Sequence, residues 1–197
     1  MLKIGLTGGI GSGKSFISNL FGRWGSYVFD ADKRSKDILF KNETTQNEII
    51  AEFGTDVLGL NKRIDNQKLA NIAFQSEGPQ MRLNAIMHPY IFKEIDDTIS
   101  LISKKNKFDI FLVDAALIYE SGYDIHMDYV VVVTSRLKLR TERALSSGKL
   151  DRDDFLRREM LQWPDQDKIN MADFVIHNNG TKIELEQEAK KVFDKFI

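Results

Sequence analysis

Eight consecutive residues, Gly8-Gly9-Ile10-Gly11-Ser12-Gly13-Lys14-Ser15, have the spacing G-x-x-x-x-G-K-[ST]. They come after an apolar run, Leu2–Thr7, and open a helical pattern, Lys14–Trp24, the context the motif requires. The chemistry is phosphate binding. Glycines let successive backbone N–H groups converge on one point. The helix N-terminus adds positive partial charge at that point. Gly11, Ser12, Gly13 and Phe16 would contribute backbone N–H groups, Lys14 a point charge on the β- and γ-phosphates, and Ser15 a hydroxyl to Mg2+. The motif points to a nucleoside triphosphate and is silent about what receives the phosphate.

Carboxylates at strand ends are the next chemical candidates, because the carboxyl ends of parallel strands form the ligand crevice. Asp30-Ala31-Asp32 ends the short run Tyr27–Phe29. A carboxylate there can take a proton from an attacking hydroxyl or orient Mg2+. Asp30 serves equally well as the N-cap of a helix beginning near Lys33, so Asp32 is the preferred functional residue. The run Phe108–Val113 ends in Asp114, which resembles a Walker-B carboxylate holding Mg2+ through water, or caps the next segment. His88-Pro89 precedes a helical pattern, Tyr90–Ser103, with the proline in the first turn. His88 there either touches an anionic ligand or simply starts the helix. Near the end of the chain, Phe174–Ile176 leads to Asn178-Asn179-Gly180, a turn. That loop is expected beside the first strand, with Asn179 near a nucleotide base. Asn106-Lys107-Phe108-Asp109 and Asp56-Val57-Leu58-Gly59 match GTPase spacings, but neither comes after an apolar strand, which argues against a GTPase.

The elements that must position these groups alternate. Apolar runs at Leu2–Thr7, Tyr27–Phe29, Phe108–Val113, Tyr129–Thr134 and Phe174–Ile176 read as buried parallel strands. Helical patterns separate them, at Lys14–Trp24, Gln46–Phe53, Gln67–Gln75, Tyr90–Ser103, Leu137–Leu145, Asp153–Gln162 and Ile183–Phe196. The fold class is α/β, a doubly wound parallel sheet of about five strands of the P-loop NTPase type. Residues 1–32, 107–134 and 168–197 would make the core. Residues 33–106 hold too many helices for one crossover and read as a helical insertion. Residues 135–167 carry Arg136, Lys138, Arg140, Arg143, Lys149, Arg152, Arg157 and Arg158 with little apolar surface, and read as a mobile basic flap.

Composition bounds the function. The 197 residues carry 28 Lys and Arg against 29 Asp and Glu, a net charge of −1, so no general attraction to nucleic acid is expected. Cysteine is absent, which excludes disulfides and thiolate metal sites, and the three histidines lie far apart. No apolar run approaches the ~20 residues that cross a bilayer, and no signal-peptide pattern opens the chain, so a cytoplasmic location is expected.

Taken together the motifs resemble those of the dephospho-coenzyme A kinases. The resemblance rests on Thr7 through Ser15, Asp30-Ala31-Asp32, His88-Pro89-Tyr90-Ile91, Arg158 with Gln162, and Ala172 through Gly180. It implies a nucleoside-monophosphate-kinase-like fold with a coenzyme-binding insertion and an arginine-bearing lid. It also implies ATP-dependent phosphorylation of the ribose 3′-hydroxyl of dephospho-CoA, with Mg2+ and with Asp32 as base. Arg140 and Arg143 are the lid arginines expected to reach the phosphates, with Arg143 preferred. Another small-molecule kinase on the same fold, or a nucleotide-switch protein, are the alternatives. This chain departs from the family pattern in four places. Phe16 stands where Thr is usual, and Ala115-Ala116 where Pro-Leu is usual. His177 stands where Asp is frequent, and the two lid arginines are three rather than four apart.

Overall fold

Strand β1 (Leu2–Thr7) is central, and its alternation decides the two layers around it. Ile4 and Leu6 point to one face and are fully buried there. Gly5 points to the other, where a Cβ would press on Ile118. The computed structural model describes every residue except Lys149, so that cation of the expected flap lies outside the described residues. Among them the sheet is parallel, in the order β2 (Tyr27–Asp30), β3 (Ile110–Asp114), β1, β4 (Tyr129–Thr134), β5 (Phe174–His177). The strand order reverses beside β1, which puts the crevice at the carboxyl ends of β1, β3 and β4.

One face of the sheet packs Ile4, Leu6, Leu112, Val131 and Val133 against α1 (Lys14–Arg23) and α9 (Lys182–Phe193). The opposite face carries Phe29, Phe111 and Val113 into a second core made with the insertion. That insertion consists of α2 (Ala31–Lys41), α3 (Glu43–Phe53), α4 (Asn66–Ala73) and the long α5 (Glu77–Ser103). It also holds an isolated antiparallel bridge, Leu58–Ile64. Residues 135–167 form α6 (Leu137–Ser146), α7 (Arg152–Met160) and the entry to α8 (Asp165–Met171).

Three expectations are corrected. Pro89 lies inside α5 and not in its first turn. The apolar stripe Leu83, Met87, Ile91, Ile95 runs straight through the proline and stays buried, so packing carries the helix across the lost hydrogen bond. The proline of the first turn is Pro79, where N–H groups have no intrahelical partner. Strand β5 pairs with β4 and lies one strand away from β1. Residues 135–167 bury more than the little apolar surface expected of them. Phe155 of α7 is fully buried, and Arg140 of α6 is 3% exposed.

Candidate active site

The chain leaves β1 at Thr7 and turns through the glycines into α1. Gly13, at φ 99°, is the N-cap of α1, and a Cβ there would collide with the Asn178 amide. Gly11, at φ 77°, meets the backbone of Arg140, so helix α6 rests directly on the loop. Both positions need the left-handed conformation and the missing side chain together. Asn178 Nδ2 donates to the Ser12 carbonyl at 2.8 Å, which fixes the loop from the β5 side. Sequence reasoning misses Asn178. Its only signal is the Asn-Asn-Gly turn, which points equally to Asn179. Asn179 Oδ1 instead accepts from the Arg136 backbone N–H at 2.9 Å, and the residue lines a cavity of about 370 Å³ with Thr134, Arg136 and His177.

Lys14 is the meeting point of the carboxylates. Its ammonium pairs with Asp114 and lies 3.4 Å from Asp32 Oδ2. Burial works against this charge, but Asp32 and Asp114 outweigh it, and the Lys14 pKa stands above the ordinary lysine value. Asp114 is buried at the end of β3, whereas the Asp32 side chain is 56% exposed in the first turn of α2. Asp30, the other candidate, accepts from the Lys33 N–H at 2.8 Å and is the N-cap of α2. Ser15 is exposed beside Lys14. Among the described residues no three His, Asp or Glu side chains cluster as a metal cage. The exposed Ser15 hydroxyl and the Asp114 carboxylate suit Mg2+, which takes few protein oxygens and completes its shell with water and phosphate.

Beyond Asp32 opens a cavity of about 610 Å³ between the sheet, the insertion and α7. Its apolar wall comes from Leu39, Leu69, Phe74, Leu83, Met87 and Ile91. Polar groups stand among them, Lys36, Asn84, His88, Arg158 and Gln162. His88 stacks on Phe92 with ring centroids 5.4 Å apart, and burial pushes its pKa below the ordinary histidine value. Arg158 reaches over from α7 to lie 5.2 Å above the Phe74 ring. The GTPase-like spacings are elsewhere. Asp56 is in the 3-10 turn Thr55–Val57, and Asn106 lies beyond the end of α5 at φ 46°.

The two arginines expected to reach the phosphates, both on α6, have different partners. Arg143 donates to the Asn178 carbonyl at 3.1 Å from both terminal nitrogens and to Ser135 Oγ at 3.1 Å. It braces the β5 loop. Arg140 lies against Gly9, where a Cβ would strike its guanidinium, and its Nη1 is 3.4 Å from the Ile10 carbonyl. Glu159 grips the same guanidinium with both oxygens, and Asp165 stands 3.5 Å away. Of the two, Arg140 is the one whose guanidinium lies against the glycine loop, whereas Arg143 holds the loop after β5. Three residues per 3.6-residue turn put the two on neighbouring strips of α6, and α6 presents Arg140 to the loop.

A model of the dephospho-CoA kinase family matches residues 2–184. The chain belongs to the dephospho-CoA kinase family. It is 35% identical to a dephospho-CoA kinase of Aquifex aeolicus, over 99% of this chain and 97% of that one. It is also similar to a solved protein structure from Thermus thermophilus, with 27% identity and a TM-score of 0.82, covering 100% of this chain and 98% of that one. A solved dephospho-CoA kinase from Campylobacter jejuni matches at 28% identity and a TM-score of 0.69, covering 98% and 96%. Among the described residues, no helix is long and apolar enough to cross a membrane.

Proposed function

We propose that the protein transfers the γ-phosphate of ATP to the ribose 3′-hydroxyl of dephospho-CoA, giving coenzyme A and ADP, the last step of coenzyme A synthesis. The observation that carries this is the position of Lys14, Asp32 and Asp114, clustered between the phosphate loop and the 610 Å³ cavity. The cavity holds the acceptor, and the 370 Å³ recess near Asn179 takes the nucleotide base. Lys14 turns from the two carboxylates to the β- and γ-phosphates when the triphosphate arrives. Asp32 is then free to accept the proton of the acceptor hydroxyl, a role worth typically 10²–10⁴-fold. Arg140 places a second cation over the loop, where it neutralises charge on the transferring group. Ser15 and, through water, Asp114 would hold Mg2+, which supplies further charge neutralisation. Positioning and electrostatics suffice, with no covalent intermediate. Residues 135–167 act as a lid that excludes water from the γ-phosphate. The partner is a small molecule, with no role for nucleic acid or a membrane, and the location is the cytoplasm.

The test is an acceptor panel with ATP and Mg2+: dephospho-CoA, nucleosides, nucleoside monophosphates and shikimate. We expect phosphate on dephospho-CoA alone, at the 3′-oxygen by NMR of the product. Preferential phosphorylation of another acceptor, or nucleotide binding with no acceptor at all, overturns the proposal.

A further inference from the structure

Lys168, on α8, is 0% exposed, yet none of the chemistry above uses it. Its ammonium pairs with Glu120 Oε1 at 2.6 Å and donates to the Ala116 carbonyl at 3.3 Å. Two other groups converge on the same acceptors. The Thr7 hydroxyl donates to the Ala116 carbonyl at 3.0 Å, and the Trp163 backbone N–H donates to Glu120 Oε1 at 2.9 Å. The Trp163 ring lies parallel to that of Tyr119, 6.4 Å away and tilted by 4°. Glu120 Oε2 is buried with no partner, so the carboxylate depends on Lys168 for its charge balance.

A buried ion pair is poor evidence of stabilisation, because apolar residues of similar volume hold a fold equally well. What this pair does have is a place. Ala115, Ala116, Leu117 and Ile118 form one wall of the 610 Å³ cavity, while Leu161 and Gln162, at the end of the lid, form part of another. Glu120 and Lys168 stand just beyond those two segments and join them. The phosphate loop has anchors of its own, Asn178 and the backbone of α6, besides the Thr7 hydroxyl and the Asp165–Arg140 pair that reach it from this side.

We propose that Lys168 and Glu120 are positioning residues for the acceptor: the pair ties the returning stem of the lid to the wall after β3 and keeps the two cavity walls in register. The proposal rests on reading that cavity as the acceptor site. It places the effect of the pair on the acceptor and not on ATP.

The test compares the double variant Lys168→Met/Glu120→Gln with wild type. Removing both charges avoids leaving one buried alone, and the introduced carboxamide keeps an acceptor for the Trp163 N–H. We expect the acceptor KM to rise about tenfold, the scale of one lost charge-assisted hydrogen bond, with the KM for ATP unchanged. Amide exchange should accelerate together in residues 115–120 and 161–167 and stay unchanged in residues 8–16. A merely structural role would lower the active fraction and leave both KM values alone. Unchanged acceptor KM, a parallel rise in both KM values, or unchanged exchange in the two segments overturns the proposal. If the double variant does not fold, Lys168→Gln/Glu120→Gln, which also removes both charges and keeps polar partners for the two segments, repeats the comparison. Failure of wild type to phosphorylate dephospho-CoA would strike the activity assignment instead, and the exchange experiment would still decide the tie.

Discussion

The two ends of the site are built on opposite plans. The phosphate end is one contiguous stretch, Gly8 to Phe16, in which the Ser12 and Phe16 N–H groups, expected to face a phosphate, donate to the Gly9 and Gly13 carbonyls, with Asn178 and Arg140 bracing it from outside. The proposed acceptor end is made of side chains drawn from α2, α4, α5, the loop after β3 and the α7 segment, spread from Ala31 to Gln162. The difference arises from what each must recognise. A triphosphate is a fixed array of charge that backbone dipoles and one lysine can match. An organic acceptor presents shape as well as charge, and only a cavity assembled from several elements can match shape. Single changes should therefore be severe at the first end and graded at the second.

Lys14→Ala should have the largest effect. It removes the cation from the transferring group, and kcat should fall by orders of magnitude. The acceptor should still bind, because the cavity wall is untouched. Steady-state turnover with calorimetric binding of dephospho-CoA measures both. Near-normal turnover would remove the P-loop from the mechanism and erase the contrast between the two ends.

Asp32→Asn sits on the border of the two ends. It keeps shape and removes the basic oxygen, so kcat should drop by about 10²–10⁴-fold with ATP binding retained. Asp30→Asn is the control. It weakens the helix cap by about 1 kcal/mol or less, which thermal unfolding reads, and should leave kcat close to wild type. A collapse of kcat in the Asp30 variant alone would move the base to Asp30.

On the proposed mechanism Arg140 neutralises charge at the phosphate end and Arg143 braces it. Arg140→Ala should lower kcat by about 10²–10³-fold, the usual loss when one preorganised donor to developing charge is removed. Arg143→Ala should act on the brace at Asn178 instead, costing about 1.5 kcal/mol in stability and weakening ATP binding. Kinetics and denaturation of both variants would expose a reversed order.

The smallest effect belongs to the acceptor end. Burial lowers the His88 pKa, so the folded protein favours the neutral ring. The folded pKa lies below the unfolded value of about 6.5, and the unfolded state binds more protons in between. The stability that comes from the neutral ring is thus present in full above about pH 6.5 and lost as pH falls through the folded pKa. Denaturant midpoints of wild type and His88→Asn between pH 8 and 5 should converge towards the acid end by that amount. A constant difference would mean that His88 is not held neutral against Phe92.

The same contrast separates what residues in order reveal from what they hide. The phosphate site is legible because its physics is local: glycine dihedrals, a helix start and a lysine within eight residues. The strands β1 and β4 are legible to the residue because buried parallel strands are continuous apolar runs bounded by polar turns. Asp114 is legible as a strand-end carboxylate and Asp32 as one just past a strand end, in the first turn of α2, though nothing in the order of residues says that Lys14 joins them. The sheet order, which carries the Asn178 loop to the far side of β4 while its amide still reaches Ser12, is a long-range outcome.

The α/β class, the phosphate loop, the helical insertion and the family all stand in the sequence, because each is carried by period, spacing or a contiguous motif. Which arginine faces the loop does not. Arg140 and Arg143 differ by less than one helical turn, and the docking of α6 is what separates them. The continuation of α5 through Pro89 is likewise a matter of packing, since the buried stripe on both sides outweighs one missing hydrogen bond. The meeting of Lys168 with Glu120 is another, because β4, α6 and α7 all lie between them in the chain. Local pattern cannot place α8 against β4, or the loop after β3 beside it. Contacts between residues far apart in the chain depend on how elements pack, and packing is a property of the assembled core.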